Sequence, residues 1–222
     1  MKLAIFTDYD GTITVEDTVD LMLNTYGMPD WLEISKELDA AGAKNIERME
    51  AEFKGFRATR QQVVDLVREN VHIDQTFREL VDLSGKRGWR LVVLSQGFRE
   101  SVEAVFDKYG ITGVEWYANA FEEKDGSLVP AYPDKDLIVD GECTGFCGVC
   151  KGGHIRKARR EGYTTVYIGD GITDRCAAER ADTVFAKRYL RKYLAEKGRP
   201  FTPFEEFSDV AAELSKRFPE SA

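Results

Sequence analysis

The chain has 222 residues, 32% of them charged and 43% hydrophobic, with a formal net charge of -8, a length and composition that suit one substantial core plus a modest inserted domain, folded throughout. No basic block interrupts the acidic balance, which argues against nucleic acid and against an anionic membrane as partners. The apolar run that opens the chain is too short for a secretory signal and no later stretch reaches membrane-spanning length, so a soluble, cytoplasmic protein is expected, as a monomer or a homodimer.

Leu3 to Thr7 is a nearly continuous apolar run with β-type residues, the pattern of a strand buried on both faces. It delivers Asp8 at its carboxyl end, followed by Tyr9-Asp10-Gly11-Thr12. Two carboxylates one residue apart at a glycine turn can face one crevice and share a divalent cation; the same spacing in isolation also describes acids that cap a turn. From about Asp17 to Asp82 the chain reads as successive helices, with Leu21, Met22, Trp31, Leu32, Met49, Phe53, Val63 and Val67 on apolar faces. This segment, 16–82, is predicted to be a helical cap inserted after the first strand, with 1–15 and 83–222 forming the core.

A second strand is predicted at Leu91–Leu94, ending in the polar turn Ser95-Gln96-Gly97 and followed by an amphipathic helix from Glu100 to Tyr109. A hydroxyl and small backbone at a helix start suit a phosphoryl oxygen, and equally a plain helix cap. Ala120 to Pro130 is predicted to be a hairpin turning at Asp125-Gly126. Cys143, Cys147 and Cys150 then lead into Lys151. Two readings stand for the cysteines: free thiols in a loop, or a zinc site completed by a group such as His154. Lys151, at a helix start beside two glycines, is read as a mobile positive charge for a phosphoryl group.

Thr165–Ile168 predicts a further strand, ending in Gly169-Asp170-Gly171-Ile172-Thr173-Asp174. Two acids on a tight glycine turn suit a metal site better than a helix start: Asp170 is a predicted ligand, and Asp174 either completes the metal shell or orients the lysine. Thr183–Ala186 is a fourth strand. Strands alternating with helices predict an α/β fold with a Rossmann-like parallel sheet, whose polar turns converge at the carboxyl ends of the strands.

The ordered set Asp8-Tyr9-Asp10-Gly11-Thr12, Ser95, Lys151 and Gly169-Asp170-Gly171-Ile172-Thr173-Asp174 resembles the four motifs of the haloacid dehalogenase-like superfamily. The helical insert is similar to the cap of its phosphoserine-phosphatase-like subgroup. The resemblance implies a Mg²⁺-dependent phosphatase: Asp8 as nucleophile, Asp10 as acid/base, Ser95 and Lys151 on the phosphoryl group, and Mg²⁺ held by Asp8, Asp170 and the backbone carbonyl of Asp10. That ion and Lys151 would supply the local positive charge an acidic protein needs for a phosphate ester.

The resemblance also places Asp17 where an acid reads a substrate ammonium and Arg48 near an arginine for its carboxylate. Both have plainer readings, as a helix N-terminal acid and as a partner of Glu52 four residues on. Gly11 and Gln96-Gly97 depart from phosphoserine phosphatases. Together with the cysteine loop they are more similar to the methionine-salvage branch acting on 2-hydroxy-3-keto-5-methylthiopentenyl 1-phosphate, and also to phosphoethanolamine/phosphocholine phosphatases. The expected partner is a small phosphorylated metabolite. A phospho-accepting regulatory module, the rival from another class, has no use for the long insert, and the paired Asp10 gives a hydrolytic route a signalling aspartate would avoid.

Overall fold

The computed structural model describes residues 2–135 and 147–219. Its strands are β1 (Leu3–Thr7), β2 (Arg90–Phe98), β3 (Glu115–Lys124), β4 (Ser127–Ala131), β5 (Thr164–Gly169), β6 (Thr183–Ala186) and β7 (Thr202–Pro203). They form one sheet in the order β4-β3-β2-β1-β5-β6-β7, parallel except for β4. β1 lies at the centre, with Ile5 opposite both Leu91 and Val166, so both its edges are hydrogen-bonded and Asp8 emerges between two neighbours.

Ten helices accompany the sheet among the described residues: α1 (Thr18–Tyr26), α2 (Trp31–Ala40), α3 (Asn45–Glu52), α4 (Arg60–Asn70), α5 (Phe77–Arg87), α6 (Arg99–Tyr109), α7 (Lys151–Arg160), α8 (Arg175–Ala178), α9 (Arg188–Glu196) and α10 (Phe207–Arg217). Side chains alternate across a strand, so β1 serves two layers. Leu3 and Ile5 join the cluster with Phe77, Val102, Phe106, Phe207 and Leu214. Ala4 and Phe6 join the other, with Ile155, Ala158, Leu190 and Leu194. Burial on both faces is what the unbroken apolar run required.

A third cluster belongs to the cap: Met22, Leu23, Trp31, Met49, Phe53, Phe56 and Val63 pack with Phe98, Phe121 and Leu128 of the sheet and hairpin. Phe98 stacks on Phe121 at 3.8 Å between centroids, and Phe53 meets both rings. Each such fully buried aromatic contributes about 1.5–3 kcal/mol, enough to seat the cap over the strand ends. The hairpin turns as predicted, with positive φ at both Asp125 and Gly126, the geometry that matches the twist of the flanking strands.

Two segments differ from the sequence expectation. The first part of α5, residues 77–82, falls within the cap expected at 16–82, but the whole helix packs against β2 and α10, because Phe77 and Leu80 bury in the sheet's own cluster. The chain rejoins the core at the bridge between Thr14 and Ile73. The second is Ser95-Gln96-Gly97, which lies within β2 rather than in a turn; the register with β3 shifts between Leu94 and Phe98, and α6 follows directly at Arg99. Among the described residues, no helix is long and apolar enough to cross a membrane.

Candidate active site

β1, β2 and β5 deliver their ends to one cleft of about 390 Å³ between sheet and cap, whose lining includes Asp8, Asp10, Gln96, Gly97, Asp170 and Thr173. Asp8 is buried, and its Oδ1 accepts from the backbone N–H of Tyr9 at 2.7 Å and from Lys151 Nζ at 2.6 Å. Lys151 is 1% exposed and donates also to Asp174 Oδ1 at 2.7 Å and Thr173 Oγ1 at 3.3 Å. The expected mobile charge is therefore a fixed one: the adjacent glycines lie inside α7, and two carboxylates hold the ammonium. Burial pushes its pKa down, but Asp174 and Asp8 outweigh that and hold it above the ordinary value, so Lys151 stays charged.

Asp174 accepts from Lys151 and from Tyr167 Oη (2.6 Å) on Oδ1, and from the N–H groups of Asp170 (2.9 Å) and Gly171 (2.8 Å) on Oδ2. Four donors fill the accepting capacity of a carboxylate. Burial alone would raise its pKa; Lys151 and the other donors overcome this and keep it below the usual range. Of the two roles expected for Asp174, orienting the lysine fits this geometry, and direct metal ligation does not.

Asp10, expected among the metal-binding carboxylates, turns its side chain away from that group. Oδ1 accepts from Thr18 N at 2.9 Å and Thr18 Oγ1 at 2.6 Å, and Oδ2 from Ser95 Oγ at 3.1 Å. For a cation this leaves Asp10 its backbone carbonyl, the atom the motif resemblance assigns to the metal. Burial, and then the charge of Asp17, push its pKa to about 7, against the lowering effect of Thr18 and Ser95. A carboxyl that changes protonation near neutrality is matched to proton transfer.

Asp8, Asp170 and Asp174 bring carboxylate oxygens within 4.8 Å of one another. Burial pushes Asp8 well above its ordinary pKa, and Asp174 and Asp170 push the same way while Lys151 opposes them. Burial and then Asp174 raise Asp170. With Asp174 saturated by its own donors, the oxygens of Asp8 and Asp170, both pushed up by neighbouring acids, are the pair that fits a hard divalent cation such as Mg²⁺. Asp170 is held at both oxygens, by Thr12 Oγ1 at 2.8 Å on Oδ1 and Arg188 Nη1 at 3.4 Å on Oδ2. Gly11, at φ +71°, passes so close that an added Cβ would lie 2.7 Å from Asp170 Oδ2 and 2.9 Å from Arg188 Nη1, so this turn needs glycine for space as well as for its backbone angle.

With this arrangement in view, likeness to known proteins becomes informative. Residues 5–179 match the family of haloacid dehalogenase-like hydrolases. The chain belongs to that family. Among relatives of this hydrolase, the 2-hydroxy-3-keto-5-methylthiopentenyl-1-phosphate phosphatase of Geobacillus kaustophilus is 30% identical over 220 residues, covering 97% of this chain and 96% of the relative. The protein of that name from Brevibacillus brevis is 28% identical, covering 94% and 93%. A substrate-bound phosphoserine phosphatase structure superposes with a TM-score of 0.69 at 20% identity, covering 96% of this chain and 98% of that one, and the phosphoserine phosphatase from T. onnurineus superposes with a TM-score of 0.67 at 20% identity, covering 96% and 94%; at such identity the likeness is one of fold. As a member of this family with phosphatases as full-length relatives, the chain is a phosphoric monoester hydrolase.

Each remaining predicted site residue of this hydrolase has a place. Ser95 Oγ, besides donating to Asp10, accepts from Gly97 N at 2.9 Å. Gln96 lines the cleft while its amide donates to Val149 O at 2.5 Å, bracing the loop before Lys151. Asp17 caps α1, accepting from Val19 N and Asp20 N, and also lines the cleft. Arg48 lines it too, but pairs with Glu52 and Asp39. Of the groups named for zinc, Cys143 lies outside the described residues, Cys147 Sγ accepts from Asn45 Nδ2 at 2.9 Å, and the ring of His154 packs on Tyr117 at 4.3 Å.

Sequence reading missed Thr12, Thr18, Tyr167 and Arg188 as supports of the carboxylates, and Asp20 and Glu52 in the cleft. Arg188 alone carried a signal, as it lies two residues beyond the end of the fourth predicted strand, Thr183–Ala186, where sites in such sheets gather.

Proposed function

We propose that this hydrolase cleaves a small phosphate monoester with Asp8 as nucleophile. The observation that carries the reading is the 2.6 Å contact between Lys151 and Asp8 at the mouth of β1, beside an Asp10 poised near neutrality. With Oδ1 held by Tyr9 N and Lys151, Oδ2 attacks phosphorus; the new Asp8–phosphorus bond forms as the bond to the leaving oxygen breaks, and Asp10 gives that oxygen its proton. Asp10 then takes a proton from the water that attacks the phosphoaspartate, which releases inorganic phosphate and restores Asp8. Mg²⁺ held by Asp8, Asp170 and the Asp10 carbonyl would supply electrostatic stabilisation of the phosphoryl oxygens. Lys151 steadies the phosphoryl group, Ser95 and Gly97 border it, and Asp174 keeps Lys151 in place.

The substrate favoured is 2-hydroxy-3-keto-5-methylthiopentenyl 1-phosphate, and the setting is the cytoplasm, without nucleic acid or membrane as partner. Full-length relatives carry that activity in their names, and Val19, Trp31, Leu32 and Met49 give the cap side of the cleft an apolar wall suited to a methylthio tail. A panel with Mg²⁺, comprising this ester, O-phosphoserine, O-phosphoethanolamine and p-nitrophenyl phosphate, tests the reading. The methylthiopentenyl ester should give the highest kcat/KM; preference for O-phosphoserine would overturn the substrate assignment.

A further inference from the structure

We infer that Glu52 is a specificity-determining residue that excludes phosphate esters whose leaving group carries a carboxylate, an inference that rests on the phosphatase reading above. The cap side of the cleft presents three carboxylates, Asp17, Asp20 and Glu52, against a single guanidinium, that of Arg48. That guanidinium is already engaged: its Nη1 lies 3.4 Å from Glu52 Oε1 and 3.4 Å from Ser35 Oγ, and its Nε lies 3.6 Å from Asp39 Oδ1. Glu52 is 3% exposed, at the end of α3 one helical turn beyond Arg48. A carboxylate on the substrate would have to displace Glu52 from Arg48, leaving a buried carboxylate unpaired, or lie among three acids. Both are costly in a partly desolvated cleft.

The local charge state agrees. Burial raises the Glu52 carboxyl, with Ser35 and Arg48 opposing; burial, then Asp17 and Glu52, push Asp20 to about 6. This part of the cleft is thus crowded with negative charge, and it discriminates by repulsion as well as by fit. Uncharged leaving groups with an apolar body, placed against Trp31 and Met49, meet no such barrier.

Phenyl phosphate and meta-carboxyphenyl phosphate, which differ by one carboxylate, provide the test. The ratio of their kcat/KM values, compared between the wild type and variants, cancels their difference in intrinsic reactivity. Glu52→Gln keeps the shape and the contact with Ser35 while releasing Arg48. It should raise relative turnover of the carboxylated ester by roughly tenfold or more. Arg48→Met should move the ratio the opposite way, and the double variant should lose the gain of Glu52→Gln. A ratio unchanged in both single variants overturns the inference while leaving the phosphatase reading intact. Absence of phenyl phosphate turnover in the wild type overturns that reading and the inference with it.

Discussion

Thr18 Oγ1 donates to Asp10 Oδ1 across 2.6 Å, and the Thr18 backbone N–H donates to the same oxygen at 2.9 Å. Thr18 is the first residue of α1, so the cap's first turn grips the side chain proposed as acid and base. Asp17, just before it, raises the same carboxyl through its charge. In the proposed mechanism the residues at this hinge tune proton transfer as well as connect the cap.

Opposite pH shifts follow from these two neighbours. Asp10 must be protonated to act as the acid, so kcat/KM should fall as pH rises through about 7. Asp17→Asn removes a like charge yet still caps α1, and should move this alkaline limb to lower pH. Thr18→Val removes a hydrogen bond to the ionised form, and should move it to higher pH. Steady-state pH profiles of the three proteins check both directions.

Thr12 orients Asp170 from behind. Loss of an outer hydrogen bond to a metal-binding carboxylate costs roughly 10–100-fold in metal affinity. Thr12→Val should accordingly raise the Mg²⁺ concentration needed for half-maximal activity by about that factor, with Mn²⁺ binding by calorimetry weakened in parallel.

Lys151 forms ion pairs with two buried acids, Asp8 and Asp174. Lys151→Met should destabilise the fold by about 3–5 kcal/mol in urea unfolding, the effect of removing one partner of a buried ion pair. Catalysis should be lost even where the variant remains folded.

His154 gives a pH dependence of stability unrelated to catalysis. Burial, and then the Arg90 guanidinium, lower its pKa from 6.5 to about 4. The folded protein thus prefers neutral His154, so its contribution is fully present above pH 6.5 and is lost as pH falls towards 4. The difference is about 3 kcal/mol. Chemical denaturation at pH 7.5 and at pH 4.5 should show a smaller acid loss in His154→Gln than in the wild type.

The strand ends were the most legible part of the chain. Asp8 and Asp170 each sit at a junction between an apolar run and a glycine turn, and Lys151 opens an amphipathic helix; local pattern suffices to place such residues. The direction a carboxylate faces is not local. Asp10 turns to Thr18 and Ser95, and Asp174 is saturated by donors that include Tyr167 and Lys151; these contacts exist only once β1, β2, β5 and α7 are assembled. The same reason hid the placement of α5: its apolar face reads alike whether the cover is a cap or a sheet, and the packing of Phe77 against Phe207 decides it. The break in register at Ser95 likewise comes from β2 meeting β3, not from a turn signal in its own residues.

The most direct measurement is turnover of p-nitrophenyl phosphate with Mg²⁺ by the wild type and by Asp8→Asn, a near-isosteric change that removes the nucleophilic oxygen. Wild-type hydrolysis with a loss on the order of 10⁴-fold or more in the variant is expected. Turnover by Asp8→Asn equal to that of the wild type would contradict the assignment of Asp8 as nucleophile.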